Sequence, residues 1–250
     1  MNHELLCQYL DWDSAFFGHR IARARVSRLC PETVLSILSW CREQAIDCLY
    51  FLAEVDDPVT IRLAEDYGFR LVDIRITLEK QLDDSSAPSI EPFSGVLRSC
   101  RPEDVPVLQE IARVSHRDTR FYSDPNFLRS RCDALYELWI ARSCQGYADA
   151  VFVLEMGNQP VGYITCHRQS SGEGQIGLFG VHPEWRGRGL GKRLIHHALR
   201  WFVQEGAWRV TVVTQGRNVA AQRVYQRCGF LTRKVQLWYH RWFLQERRGE

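Results

Sequence analysis

Residues 181–199 read VHPEWRGRGLGKRLIHHAL, with glycines at 187, 189 and 191 and arginines at 186 and 188. Gly189 and Gly191 let the backbone take positive φ at little cost and come close to a ligand. Leu190, Leu194, Ala198 and Phe202 lie on one stripe of the helix that follows. Its first turn aims unpaired N–H groups back at the glycines. Those donors and the helix dipole favour an anion by ~0.3–1 kcal/mol at an exposed site, and a phosphate suits the geometry. Arg186, Arg188 and Lys192 add positive charge. The stretch is neither a Walker loop nor a dinucleotide fingerprint, because the required glycine frames are absent. Alone, it would read as a Gly-rich turn with solvated arginines. Downstream, NVAAQRVYQRCGF sets Asn218 and Tyr225 seven residues apart, two helical turns on one side. Asn218 also opens its helix, where it would serve as an N-cap. Tyr225 taken by itself reads as a core aromatic.

The elements around these residues follow from periodicity. VLRSC reads as a strand and RPEDVPVLQEIARVSH as a helix with an apolar face at Val107, Leu108, Ile111 and Val114. TRFYSDPNF reads as a loop and LRSRCDALYELWIARS as a second helix. AVFVLE and VGYITCHR are strands joined by a turn at Gly157-Asn158. QIGLFGV, the Gly/Arg loop with its helix, WRVTVVT, the Asn218 helix and the strand FLTRKVQLWYHRW complete the order, which implies a mixed α/β sheet. The segment 81–95, QLDDSSAPSIEPFSG, reads as a linker. It separates an N-terminal part, 1–80, from a larger part, 96–250.

The N-terminal part carries a weak repeat. At a displacement of 161 residues Trp40 meets Trp201, Arg62 meets Arg223, and Gly68-Phe69 meets Gly229-Phe230. Only five of the fifty residues 31–80 are identical in this register, so the rhythm helix–strand–helix–strand carries the case and chance similarity is the alternative. Ala64 stands opposite Tyr225, so such a copy would be structural.

Composition narrows the class. Of 250 residues, 45% are hydrophobic and 25% charged, the range of a globular protein able to bury a sizeable core. A net charge of +2 gives no case for nucleic acid. Arg241, Arg247 and Arg248 read as a solvated end. The nine cysteines form no C-x-x-C pair and fall mostly in apolar runs, so they are expected to be reduced and largely buried, as in a cytoplasmic protein. There is neither a signal-peptide pattern nor an apolar run of membrane-spanning length, so no membrane is expected as a partner.

The stretch IGLFGVHPEWRGRGLGKRLIHHAL resembles the acetyl-CoA-binding segment of the GCN5-related N-acetyltransferases, whose pattern [QR]-x-x-G-x-[GA] falls on Arg186, Gly189 and Gly191. The resemblance runs from about residue 96 to residue 242. It implies an α/β (α+β) acyl-CoA N-acyltransferase fold, a mixed sheet flanked by helices, preceded by a truncated half-copy. It also implies acetyl-CoA as co-substrate and no metal. By this resemblance, main-chain groups of Phe179 and Val181 bond the pantetheine between the splayed strands QIGLFGV and WRVTVVT. The amides of Arg186, Gly187, Arg188, Gly189, Leu190, Gly191 and Lys192 hold the pyrophosphate. Asn218 contacts the cofactor, and Tyr225 is the general acid. A phenol of pKa about 10 gives its proton uphill to a thiolate of pKa about 8.5. Pre-alignment, or a neighbouring positive charge that acidifies the phenol, is therefore expected. The base is not legible: His167, His182, Glu137, Glu173 and a water chain all stay open. His182 is expected to cap its turn, and His196 and His197 to lie on the surface.

DWDSAFFG at Asp11–Gly18 and TRFYSDPNFLRSRCDALYELWIARS further resemble those family members that acetylate the 4-amino group of a nucleotide-linked 4-amino-4,6-dideoxygalactose. Arg120, Phe121 and Tyr122 could hold a nucleotide diphosphate and stack a pyrimidine, or anchor the loop in the core. DWDSAFFG is expected as a packed N-terminal strand. A protein N-terminus, an amino acid or a polyamine is the alternative acceptor, and a non-catalytic acyl-CoA sensor the alternative class. The long final strand offers an edge through which a homodimer could form.

Overall fold

The computed structural model describes residues 6–82 and 93–243. In chain order the first half forms β1 (Cys7–Tyr9), α1 (Asp11–Phe17), β2 (Ile21–Ala24), α2 (Pro31–Glu43), β3 (Cys48–Glu54), α3 (Pro58–Asp66) and β4 (Arg70–Gln81). Then follow β5 (Val96–Ser99), α4 (Val105–Ser115), α5 (Arg120–Ser123), α6 (Arg129–Arg142), β6 (Ala150–Met156), β7 (Gln159–Arg168) and β8 (Glu173–Val181). The chain closes with α7 (Leu190–Gln204), β9 (Arg209–Gln215), α8 (Val219–Arg227) and β10 (Leu231–Trp242). No helix among the described residues is long and apolar enough to cross a membrane.

The chain packs as two compact units. Unit 1 comprises Met1–Arg75, Arg120–Phe127 and Val235–Glu250; unit 2 comprises Ile76–Thr119 and Leu128–Lys234. The division is not a single cut in the sequence. Gln236 to Trp242 of β10 pair antiparallel with β3, and Phe121 and Phe127 pack on Phe17, so both segments belong with the N-terminal residues. Residues 83–92 of the expected linker lie outside the described residues.

Unit 1 is a mixed sheet, β1 antiparallel to β2, β2 parallel to β3, and β3 antiparallel to β10. One face, with Leu49, Phe51, Ala53, Leu237 and Tyr239, is packed with Val34, Ile37, Leu38 and Cys41 of α2 and Ala64 of α3. DWDSAFFG is a helix here, not the expected strand. Trp12 and Phe16 stack at 5.0 Å, the i,i+4 spacing of a helix, and Gly18 closes it at φ +73. Nor is β10 a free edge, because β3 lies on one side of it and β4 on the other. That removes the strand edge expected for a dimer.

Element bounds support the repeat. β3 and β9, α3 and α8, and β4 and β10 share their limits at the displacement of 161 residues, and Arg75 hydrogen-bonds its own equivalent, Gln236. Gly68 and Gly229 both close their helices with positive φ.

In unit 2 the strands run β9-β8-β7-β6-β5. β8 and β9 are parallel, and the remaining pairs are antiparallel. Gly157 and Asn158 both take positive φ, as the two-residue turn between β6 and β7 requires. The amphipathic α7 buries Leu190, Leu194, Ile195, Ala198, Leu199 and Phe202 against β6, β7 and β8. α4 packs on β7 and β8. Its start is fixed by Arg98, whose guanidinium bonds both oxygens of Asp104 (2.7 and 2.9 Å) and Oε2 of Glu155 (2.6 Å). That pairing holds the Asp104 carboxyl below the usual range.

Within unit 1, His240 is fully buried. Arg120 Nη1 has only hydrogens to offer and lies 3.2 Å from His240 Nε2. Nε2 must therefore accept, which leaves Nδ1 to donate to Asp124 Oδ2 at 2.6 Å from a neutral ring. Burial pushes the imidazole down to about 4. A depressed histidine contributes stability that is complete above about pH 6.5 and is lost as the pH falls toward about 4. The urea midpoint should therefore drop between pH 7 and pH 5 by the equivalent of about 1–2 kcal/mol, and by less in His240→Gln. A midpoint that holds or rises on acidification would mean an imidazolium paired with Asp124.

Candidate active site

β8 and β9 are paired from Glu173↔Arg209 to Ile176↔Val212 and no further, although β8 continues to Val181 and β9 to Gln215. The parting coincides with an irregularity in the β7–β8 ladder between the pairs Ile164↔Phe179 and Cys166↔Ile176. There the Leu178 N–H leaves the ladder and bonds Thr165 Oγ1 at 2.7 Å. Further along, the His182 N–H bonds the Val161 carbonyl across β7. By strand alternation the main-chain groups of Phe179 and Val181 face away from β7, into the gap.

A cavity of about 420 Å³ occupies this end of unit 2. It is lined by Phe179, Gly180 and Val181, by Trp185, Arg186, Gly187, Gly189, Leu190, Gly191 and Lys192, and by Asn218, Val224 and Arg227. Gly180 lets α4 approach β8: a Cβ there would lie 3.1 Å from the Tyr163 ring and 3.3 Å from Ser115. Gly187 and Gly189 take φ +78 and +75, and a Cβ on either would meet nothing within 4 Å. They are glycines for their backbone conformation, and they leave the wall of the cavity open. Gly189 is the N-cap of α7 and offers no capping side chain, so the first-turn amides stay available.

The two loop arginines do different things from free anion ligands. Arg186 Nε donates to the Val181 carbonyl at 2.9 Å and Nη2 to Ser115 Oγ at 3.2 Å, which ties the loop to the end of β8 and to α4. Arg188 lies over the Trp185 ring at 4.7 Å. Lys192 is exposed in the first turn of α7.

Asn218 is an N-cap as well as part of the cavity wall: its Oδ1 accepts from the Ala221 N–H at 3.0 Å. Gln222 Nε2 fixes the preceding turn by donating to the carbonyls of Gln215 and Gly216. Tyr225 is 3% exposed and stands beside the cavity rather than on its wall. Its ring meets Phe179 at 5.8 Å and Phe230 at 5.5 Å. Burial pushes the phenol well above its ordinary pKa, so the acidifying positive charge anticipated from the sequence is not what acts on it.

Residues 111–230 match the Acetyltransferase (GNAT) family. The chain carries a GNAT acetyltransferase domain. Over 93% of this chain and 96% of the relative, it is 26% identical to dTDP-fucosamine acetyltransferase of Escherichia coli. It is 28% identical to the spore coat polysaccharide biosynthesis protein SpsD of Bacillus subtilis over 56% of this chain, which spans 48% of that protein. The fold also matches the crystal structure of a GCN5-related N-acetyltransferase from Sphaerobacter thermophilus (TM-score 0.69, 18% identity, 94% of this chain and 76% of that one). The protein is thus an acetyl-transferring enzyme of a family that uses acetyl-CoA.

The other residues singled out from the sequence lie elsewhere. Glu173 pairs with Arg209, Glu137 with Arg113 at 3.5 Å, and His167 packs on Tyr147. His182 caps the turn after β8 by accepting from the Glu184 N–H. His197 is half-buried against Phe152 rather than on the surface. None of these five lines the GNAT cavity. Arg120, Phe121 and Tyr122 form α5 within unit 1 instead of a loop. Phe121 is 4% exposed, with its ring against Phe17 and Phe127, so it anchors the segment and offers no free face to a base. Ser115, Asp118, Val224 and Arg227 were not anticipated. The last two recur at helical spacing from Ala220, a signal the sequence did contain.

Replacing Asn218 by Ala should cost about 1 kcal/mol of stability through the lost cap, and Asn218→Ser should restore most of it. Thermal unfolding reads this directly. Equal melting temperatures for Asn218→Ala and wild type would leave the side chain with a ligand role alone.

Proposed function

We propose that the enzyme transfers the acetyl group of acetyl-CoA to the amino group of a nucleotide-linked amino sugar, with Tyr225 as general acid. The observation that carries the reading is the coincidence, in one cavity, of parted strands and an uncapped helix N-terminus. The amides of residues 186–192 and Lys192 hold the pyrophosphate of the coenzyme, and the main-chain groups of Phe179 and Val181 that face the gap take its pantetheine arm, the Val181 carbonyl being shared with Arg186 Nε. Asn218 contributes the cavity wall beside that arm. The coenzyme supplies an acyl thioester. Nine free cysteines, six of them buried, suit a reducing cytoplasm.

Tyr225 holds its proton at Oη throughout the neutral range, because burial disfavours the phenolate. The same low-polarity surroundings disfavour a departing thiolate, so what matters is the difference between two desolvated anions. Fixed placement of the phenol then does what acidification would otherwise do. The packing of Phe179 and Phe230 around the ring supplies that placement.

A sugar acceptor is supported by the similarity to dTDP-fucosamine acetyltransferase along nearly the whole chain and by that to SpsD. Thiol release from acetyl-CoA should be fastest with a dTDP-linked 4-amino-4,6-dideoxyhexose in a panel that includes spermidine, free amino acids and a peptide N-terminus. Preference for any of the last three would overturn the acceptor assignment. Tyr225→Phe should lower kcat by ~10²–10⁴ while acetyl-CoA affinity stays near wild type. Near-normal turnover would remove Tyr225 from the chemistry.

A further inference from the structure

Unit 1 treats the two faces of its sheet differently. The face carrying Leu49, Phe51, Ala53, Leu237 and Tyr239 is covered by helices. On the other face the register places Glu54 beside Gln236, Leu52 beside Trp238, and Tyr50 beside both His240 and Arg23. Phe121 and Phe127 pack over Tyr50, and Phe127 also over His240. The neighbouring part of this face carries guanidinium groups instead. Arg120 lies 4.4 Å from the Trp238 ring and Arg23 lies 5.4 Å from it. Arg75 Nη1 donates to Gln236 Oε1 at 3.0 Å, two residues along the same strand.

The charge on this patch is not balanced from within. Arg120 is answered in part by Asp13 nearby and by the His240–Asp124 pair behind it. Among the described residues, neither Arg23 nor Arg75 has a carboxylate at ion-pair distance; the local carboxylate, Glu54, instead accepts from Gln236 Nε2 at 3.0 Å. Burial and mutual repulsion act on them: Arg120 lowers the pKa of Arg23, and Arg23 lowers that of Arg75. Arginine nonetheless stays protonated. Two guanidinium groups beside one half-buried indole, with a third two residues along the strand and two of the three without a carboxylate, make a locus of positive charge that an anion would complete. Guanidinium forks match phosphate oxygens in geometry as well as charge.

We propose that Arg23 and Arg120 beside Trp238, together with Arg75 beside Gln236 on the same face of unit 1, bind the diphosphate of the nucleotide-linked acceptor. The inference rests on the nucleotide-sugar reading above, and it assigns that ligand's charged group to a part of the chain that carries none of the acetyl-CoA cavity. The diphosphate of coenzyme A offers the same chemistry, so the experiment must separate the two sources.

The test is titration of the full-length protein with dTDP, inorganic pyrophosphate, thymidine and acetyl-CoA, followed by calorimetry and by tryptophan fluorescence. dTDP and pyrophosphate should bind, thymidine should not, and dTDP binding should weaken with salt. Arg23→Gln and Arg75→Gln should each weaken dTDP about tenfold and leave acetyl-CoA affinity unchanged. Both variants relieve repulsion, so their melting temperatures should equal or exceed that of wild type, which separates lost binding from lost fold. Unchanged dTDP affinity in the double variant, or a parallel loss of acetyl-CoA affinity, would overturn the proposal. The two readings fail differently. Wild-type turnover of the nucleotide amino sugar with an unchanged KM in the double variant would sink the diphosphate site alone. Arginine-dependent dTDP binding without any such turnover would leave this site standing and sink the acceptor assignment.

Discussion

The separation of β8 from β9 beyond Ile176 and Val212 is the constraint on which the rest of unit 2 depends. Two parallel strands in register exhaust each other's hydrogen-bonding groups. Once β8 is irregular at Leu178, its last residues keep the partner on one side and lose it on the other. The freed amides and carbonyls would be costly if they were sealed from water and from ligands alike. They open instead onto a cavity whose far end is the start of α7. Gly180, Arg186 and Ser115 keep α4, β8 and the loop in the arrangement that makes the opening usable.

The electrostatics of the site are mostly those of the backbone. Of the basic side chains near the loop, Arg186 is engaged in tying elements together and Arg188 stacks on Trp185. What remains for an anion is the row of helix N–H groups with Lys192 and, on the cavity wall, Arg227. Such donors are fixed before any ligand arrives, so little reorganisation is needed on binding. Tyr225 is held in the same spirit: its position comes from aromatic packing and its protonation from burial.

Much of this was legible in the sequence because it is local. The glycine spacing, the apolar stripe of α7, and the Asn218–Tyr225 interval are all set within two turns of a helix, and each lies where periodicity places it. The turn at Gly157-Asn158 was readable for the same reason. Long-range pairing was not legible. A final strand looks like an edge until β3 and β4 are seen on either side of it. Arg23, Arg75 and Arg120 stand far apart in the chain, and only the register of β2, β3 and β10, the Arg75–Gln236 bond from β4 and the seating of α5 on Trp238 bring them to one face. DWDSAFFG contains enough aromatic residues to resemble a strand, and its helical spacing is clear only from the Trp12–Phe16 stack. At the displacement of 161 residues the element limits of three pairs coincide although few residues are identical, which sequence identity alone could not show.

The interleaved composition of unit 1 bears on how such a chain can be inherited and rearranged. Its N-terminal residues look like a detachable duplicate, yet their sheet is completed by Gln236 to Trp242, and their aromatic packing by Phe121 and Phe127. A gene fragment ending near residue 80 would encode a sheet lacking its fourth strand, with exposed backbone along β3 and a bare apolar surface where Leu237 and Tyr239 belong. A chain cut at that point would therefore present an open strand edge and bare apolar surface, the features of an aggregating peptide rather than of a separable module.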